Sequence, residues 1–314
     1  MPAREITPDY IADHIRRVLR DGGSAPHSED VQRFFKEEIQ SRGWYTAELK
    51  KFAGRFRRTI ARERGMDFLV QVADQLFSGR ILEEKVMAVF LLEKQPGNFG
   101  DSEFRLFASW LDRVSSWADH DALAHYLLAP MVAAKPARCR EVFRWAKSQN
   151  RWRRRAACVA LIRGARERRF FAEIVRLSNQ LLRNKDEDDM VLKGLGWLLR
   201  ETAKADPKRT VPYLMKIRKN APRLVLRTAC ETLPVTTRKQ VFARKNKTLT
   251  TAGTEEHRGE SKICVGFPCV SLCTSVTSVV RPFDGSPEKF SVSALGLPGI
   301  SPLPAPPCSR SQRR

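Results

Sequence analysis

Residues 81–94 read ILEEKVMAVFLLEK. Val86, Val89, Phe90 and Leu91 recur at helical spacing and predict an inward stripe, while Pro96-Gly97 breaks the run. The segment before it, 66–77, is patterned the same way, so the two read as a helix pair. Working towards the N-terminus, 46–64 places Leu49, Phe52, Ala53, Phe56 and Ile60 on one face. A helix over 28–41 precedes it. The first helix starts with Thr7 as N-cap and Pro8 at the first helical position, carries Ile11, Ile15, Val18 and Leu19 as its stripe, and ends at Gly22-Gly23.

Towards the C-terminus the rhythm continues. Helices are predicted over 102–114, 117–132, 136–148, 150–163, 168–183, 189–205, 207–220, 222–233 and 236–245. No alternating strand pattern appears before residue 260. Helix pairs recur at roughly 35–40 residues, the length of HEAT-like units. The expected fold class is therefore all-α, a curved α-solenoid of HEAT-like antiparallel helix pairs. A compact helical bundle is the alternative.

Composition changes near residue 248. Residues 249–314 hold eight of the eighteen prolines and four of the seven cysteines. A helical domain over 1–248 and a Pro/Ser/Cys-rich tail over 249–314, disordered or weakly ordered, are expected. The abrupt onset also fits a translated frameshift or fusion scar. Cys139, Cys158 and Cys230 fall singly in helical patterns and read as small buried residues. Cys264, Cys269 and Cys273 cluster in the tail at spacings that fit no zinc motif and without a histidine among them, so no metal and no cofactor are expected. The odd count and the absence of an apolar leader point to a reducing, cytoplasmic setting. No apolar run is long enough to span a membrane.

The net charge is +22, and the tail carries only seven Lys/Arg against five Asp/Glu. The basic body points to nucleic acid or an anionic surface rather than to solubility alone. Against this background the stretch 115–121, SSWADHD, stands out. On a helix, Trp117 and Asp121 are four apart and share a face, an indole beside a carboxylate that suits a planar cation. A second cluster opens the helix at Asn150, with Trp152, Arg154 and Arg155; guanidinium groups at a helix start suit phosphate. A third is Lys193-Gly194-Leu195-Gly196-Trp197, followed by Arg200-Glu201. Two helix glycines cost about 1 kcal/mol each against Ala and imply close packing or a close ligand. Each cluster also has a bland reading. Tryptophans on helices are mostly core, Asp119 and Asp121 can be first-turn helix acids, and arginine runs are mostly solvated. His120 and His125 read as ordinary surface or core histidines.

Taken in order, Trp117-x-x-x-Asp121, Ser148-x-Asn150-x-Trp152-x-x-Arg155 and Lys193-x-x-Gly196-Trp197-x-x-Arg200-Glu201 resemble the AlkD-type DNA alkylation repair family, glycosylases built from HEAT-like repeats. Glu84-Lys85 and Arg227-x-Ala229 fit the same pattern. The resemblance spans roughly 28–245. Ala47 and Lys50 depart from it, standing where the family has Pro and Arg. It implies that Asp121 is the catalytic carboxylate, that Trp117 and Trp197 flank the lesion, and that Arg155 contacts the DNA backbone. Trp152, Arg154, Lys193 and Arg200 are further expected DNA contacts. The implied activity is excision of cationic N3- or N7-alkylpurines from duplex DNA by a monomer. A non-catalytic HEAT-like binder of DNA structures or proteins is the competing expectation, and RNA binding a weaker third.

Overall fold

The computed structural model describes residues 6–243. The predicted tail, its junction near 248 and the four cysteines beyond it lie outside these residues. Every regular element among the described residues is helical. In chain order they are α1 (Pro8–Asp21), α2 (Ala25–Gln32), α3 (Thr46–Phe77), α4 (Leu82–Leu92), α5 (Asp101–Ser109), α6 (Trp117–Leu123), α7 (Ala129–Ala134) and α8 (Cys139–Trp145). Then follow α9 (Arg151–Val159), α10 (Ile162–Arg166), α11 (Phe171–Arg183), α12 (Asp189–Ala205), α13 (Pro207–Ile217), α14 (Arg223–Cys230) and α15 (Val235–Phe242).

The helices stack in succession. α1 and α4 pack on α3, α6 on α4, α9 on α6, α12 on α9, and α14 on α12. Each unit makes its principal contacts with the next one along the chain, which is solenoid-like stacking. One apolar core runs through the stack from Ile11 to Val241. Its largest fully buried side chains include Trp110, Trp145, Phe56 and Phe77. Phe77 and Trp110 stack at 4.5 Å, joining α3 to the turn after α5. Each such ring contributes roughly 1.5–3 kcal/mol by leaving water.

Local starts follow the predicted chemistry. Thr7 Oγ1 accepts from Tyr10 N at 3.2 Å and opens α1. Ile11, Ile15 and Leu19 are buried as expected, while Val18 is only partly so. Residues 46–77 form two helical segments, as predicted, meeting at Gly65; there φ is +84°, a conformation that favours glycine.

Three predicted helices change most. The helix predicted over 28–41 stops at Gln32, and a loop continues to Tyr45. A buried carboxylate captures that loop instead. Glu83 accepts from Ser41 Oγ at 2.6 Å, Arg42 N at 2.8 Å and Gly43 N at 2.9 Å. The start of α4 therefore buries charge: Glu83, Glu84 and Lys85 are all buried, whereas Val86, predicted to face inward, is half-buried. The helix predicted from 168 begins at Phe171, because Arg168 and Phe170 adopt φ of 57° and 63°. The Phe170 ring packs back over Gly164, where a Cβ would stand.

The third change lies beside the predicted site. The helix expected over 117–132 is regular only to Leu123. Residues Ala124–Leu128 form a π-turn, closed by Ala129 N bonding to Ala124 O, and α7 carries the helix on. Pro130 lacks an N–H and would crowd the carbonyl four residues back; the wider turn accommodates it.

Candidate functional site

The site is assembled from α6, α9 and α12, which pack side by side. Residues 113–116 lead into α6 under firm control. Asp119 is completely buried and accepts from Ser115 N at 2.9 Å, Ser116 N at 2.7 Å and Ser116 Oγ at 2.5 Å. Lys85 of α4 lies 3.4 Å from the same carboxylate and donates to Ser115 Oγ at 2.8 Å and to the Arg113 carbonyl. Asp119 is thus the first-turn acid of a capping box, and its duty is to start the helix.

Asp121 lies on another face of the helix. Arg155 grips it with a two-pronged fork, Nε to Oδ1 at 2.9 Å and Nη2 to Oδ2 at 2.7 Å. Nη1 of the same guanidinium donates to the Met190 carbonyl at 2.6 Å, tying α9 to α12 as well. His120 Nδ1 lies 2.7 Å from Asp121 Oδ1, and its Nε2 lies 3.0 Å from the Trp152 carbonyl. Burial alone would raise the Asp121 carboxyl. The Arg155 charge, with the hydrogen bonds from His120 and Arg155, instead holds it well below the usual carboxylate range. The carboxylate is ionised, oriented and 9% exposed.

The three tryptophans of the predicted clusters stand on the same three helices. Trp117 is half-buried, and Phe35 stacks on it at 4.9 Å and 15°. Trp152 stacks on His120 at 5.5 Å, with the Arg151 guanidinium over its ring at 4.5 Å. Trp197 is 7% exposed and stacks on His125 at 5.8 Å. The Trp197 indole Nε1 is buried with no hydrogen-bond partner among the described residues. Burial lowers the His125 ring to a pKa of about 4, the Arg166 charge assisting, so it is neutral at pH 7.

The two glycines of the third cluster have packing roles. A Cβ on Gly196 would stand 2.6 Å from Thr228 of α14, and one on Gly194 would stand 3.1 Å from the Arg155 stem. Gly194 therefore leaves room for the arginine that holds Asp121.

The structure brings Asp121, Arg155, His120 and Trp152 together; Trp117 lies four residues before Asp121 on α6, and Trp197 lies on α12. Most of the expected DNA contacts are engaged inside the protein: Arg155 on Asp121 and Met190, Trp152 buried at 8% exposure, and Arg154 and Arg200 in further ion pairs. Arg154 Nε donates to Asp186 at 2.5 Å, and its Nη1 donates to the Ser148 and Gln149 carbonyls, fastening the turn before α9. Arg200 is buried, donating to Glu201 at 3.3 Å and Glu231 at 2.5 Å. Lys193 is half-buried and has no carboxylate partner among the described residues. Lys50, the departure from the family pattern, donates to Tyr126 Oη at 2.9 Å and lies over the Tyr126 ring at 4.3 Å.

Two participants escaped the sequence reading. Phe35 belongs to a segment predicted as helix; in the loop after α2 it reaches Trp117, while Glu37 pairs with Arg151 at 2.7 Å and Lys36 lies 3.8 Å from Asp189. That loop thus touches α6, α9 and the start of α12. His120 read as an ordinary histidine. Its place beside Asp121 in sequence was the available signal, but adjacent helix residues usually point apart.

The family model for DNA alkylation repair enzymes matches residues 15–233, more than half of the chain. This chain belongs to that family. Membership places it in DNA repair and implies contact with DNA. A solved structure of a predicted DNA alkylation repair enzyme from Enterococcus faecalis is similar, with 18% identity and a TM-score of 0.59. The match covers 68% of this chain and 97% of that one, and at this identity it speaks for the fold alone. No curated protein matches. Among the described residues no group of His, Cys, Asp or Glu has the arrangement of a metal site. No helix among them is long and apolar enough to cross a membrane.

Proposed function

We propose that the protein is a DNA glycosylase that hydrolyses the N-glycosidic bond of cationic N3- or N7-alkylated purines in duplex DNA. The observation that carries this reading is the ionised, almost fully buried Asp121 held between Arg155 and His120, one helical turn from Trp117.

The chemistry suits that arrangement. An N3- or N7-alkylpurine already carries positive charge and leaves without a general acid. Breaking its bond to the sugar builds an oxocarbenium-like cation. A carboxylate fixed beside the sugar stabilises that charge and orients the attacking water. The indoles of Trp117 and Trp197 add cation–π attraction and exclude water. No step asks for a metal or another cofactor.

In this reading the duplex lies along the stacked units, whose helix pairs are HEAT-like, and basic side chains hold its phosphates. Lys193 and Arg155 are the proposed phosphate contacts, joined by Arg151 at the start of α9. Arg155 serves two partners in turn, Asp121 in the free protein and a phosphate when DNA is bound. The protein acts as a monomer, in the compartment that holds the DNA.

A second reading has its own support. A closed Arg–Asp fork is also what a purely structural ion pair looks like, and it favours a non-catalytic repeat protein that binds DNA structures or proteins. Base release separates the two. Duplex DNA carrying N7-methylguanine or N3-methyladenine is incubated with wild type and with Asp121→Asn. The glycosylase reading expects release by wild type alone and equal affinity of both for undamaged duplex. Equal release by both proteins sinks the assigned role of Asp121. No release by either, with salt-sensitive binding retained, leaves the non-catalytic reading.

A further inference from the structure

We infer that His120 is a positioning residue for Asp121, its Nδ1–H holding the carboxylate in place independently of Arg155. The inference rests on the glycosylase reading above for its kinetic consequence, but its structural core stands on geometry alone.

His120 is fully buried, and both ring nitrogens face oxygens. Nδ1 lies 2.7 Å from Asp121 Oδ1 and Nε2 lies 3.0 Å from the Trp152 carbonyl. A carbonyl and an ionised carboxylate only accept. A neutral ring has one N–H, so it serves one of the two. A bare Nδ1 lone pair at 2.7 Å from a carboxylate would meet a full negative charge, whereas a bare Nε2 would meet only a carbonyl dipole. The proton therefore belongs on Nδ1, and a second proton, when present, adds the bond to Trp152.

The surroundings limit that second proton. Asp121 and Asp119 on α6 favour it, and Arg155 on α9 opposes it; Lys85 of α4 partly neutralises Asp119. Burial is the largest influence and lowers the ring's pKa, so the neutral Nδ1–H form is the resting state. The Trp152 ring stacked on the imidazole fixes the ring plane.

The benefit appears when DNA arrives. Arg155 is long and flexible, and its guanidinium suits phosphate as well as carboxylate. Were it the sole holder, its turn towards a phosphate would release Asp121 to rotate. The imidazole is short, packed and on the same helix, so it keeps Oδ1 aimed whichever partner Arg155 takes. Misplacing a catalytic group by about 1 Å costs up to about 10²-fold in rate.

Two substitutions test this. His120→Leu fills the space with no donor. His120→Asn places its amide Nδ2 close to the ring Nδ1 position and restores a donor to Asp121, without a titratable group or a bond to Trp152. Single-turnover release of N7-methylguanine should fall about 10- to 100-fold in H120L. Affinity for the undamaged duplex should stay within about two-fold, and H120N should recover most of the rate. Full activity in H120L overturns the inference. So does H120N as slow as H120L while thermal melts show both folded, since the donor would then be irrelevant. Independently, ¹⁵N-histidine NMR of the wild type should show His120 protonated at Nδ1, with that resonance shifting in Asp121→Asn. A bare Nδ1 overturns the inference whatever the activity. A wild type that releases no base would defeat the glycosylase reading, and the NMR result would still decide what orients the carboxylate.

Discussion

Two buried acids on neighbouring helices are held in opposite ways. Glu83 at the start of α4 is 4% exposed, and Asp121 on α6 is 9% exposed. Glu83 is met mainly by backbone amides, Arg42 N and Gly43 N, together with the Ser41 hydroxyl. Asp121 is met by two side chains, Arg155 and His120. Backbone amides cannot turn away without undoing the loop that carries them. Side chains can change rotamer and find another partner. Similar burial therefore goes with different mobility of the partners: Glu83 shapes the loop over 33–45, while the partners of Asp121 can turn without moving the backbone. On the proposed reading, the kind of donor sets Glu83, fixed by its loop, apart from Asp121, whose side-chain partners can turn to another ligand.

The largest expected effect separates these two acids directly. Asp121→Asn should cut base release by at least about 10²–10³-fold, the scale for removing a group that meets transition-state charge. Normalising the rate to the folded fraction from a denaturant melt keeps stability out of the comparison. Retained release would erase the distinction between the two acids.

Acid sensitivity comes next. His125 titrates at about 4 in the folded protein, below the ordinary 6.5 of a histidine. Protons therefore bind the unfolded chain first, and stability is full above pH 6.5 and falls as pH drops towards 4. The loss should reach up to about 3 kcal/mol. Urea midpoints at a series of pH values measure it, and His125→Phe, which keeps a ring against Trp197, should flatten that slope. An unchanged slope in the variant would assign the acid sensitivity elsewhere.

Glu83→Gln sharpens the contrast from the other side. Its amide would turn an N–H group towards donors, and stability should fall by about 1–3 kcal/mol. Release per folded molecule should match wild type. A rate loss like that of Asp121→Asn would mean that the loop carrying Phe35 takes part in the chemistry.

For the shared partner the smallest effect read is the one on DNA affinity, measured per folded molecule because losing Arg155 also leaves Asp121 buried without its guanidinium. Arg155→Ala should weaken duplex binding and lower the slope of log affinity against log salt by about 1, as loss of one phosphate contact does. An unchanged slope would confine Arg155 to its place on Asp121.

Legibility in the sequence followed the range of the interactions. α1, the two halves of 46–77, α4 and α12 were readable because caps, prolines and 3.6-residue stripes act within a turn or two. Burial of Cys139 and Cys158 was readable as well; it pushes their thiols up to about 11 and about 12, which leaves them inert. The helix that stops at Gln32 was not readable, because the carboxylate that captures the following loop sits about 40 residues away on α4.

The same division applies to the site. Sequence alone determined an all-α chain with a basic body, and the order Trp117–Asp121, Trp152–Arg155, Gly196–Trp197 pointed to the family. Only the tertiary structure decided which charges remain for a ligand. It put Arg154 on Asp186 and Arg200 on Glu231, and it closed Arg155 and His120 around Asp121. Helical periodicity tells which side chains share a face, but which carboxylate a guanidinium meets depends on how helices distant in sequence pack.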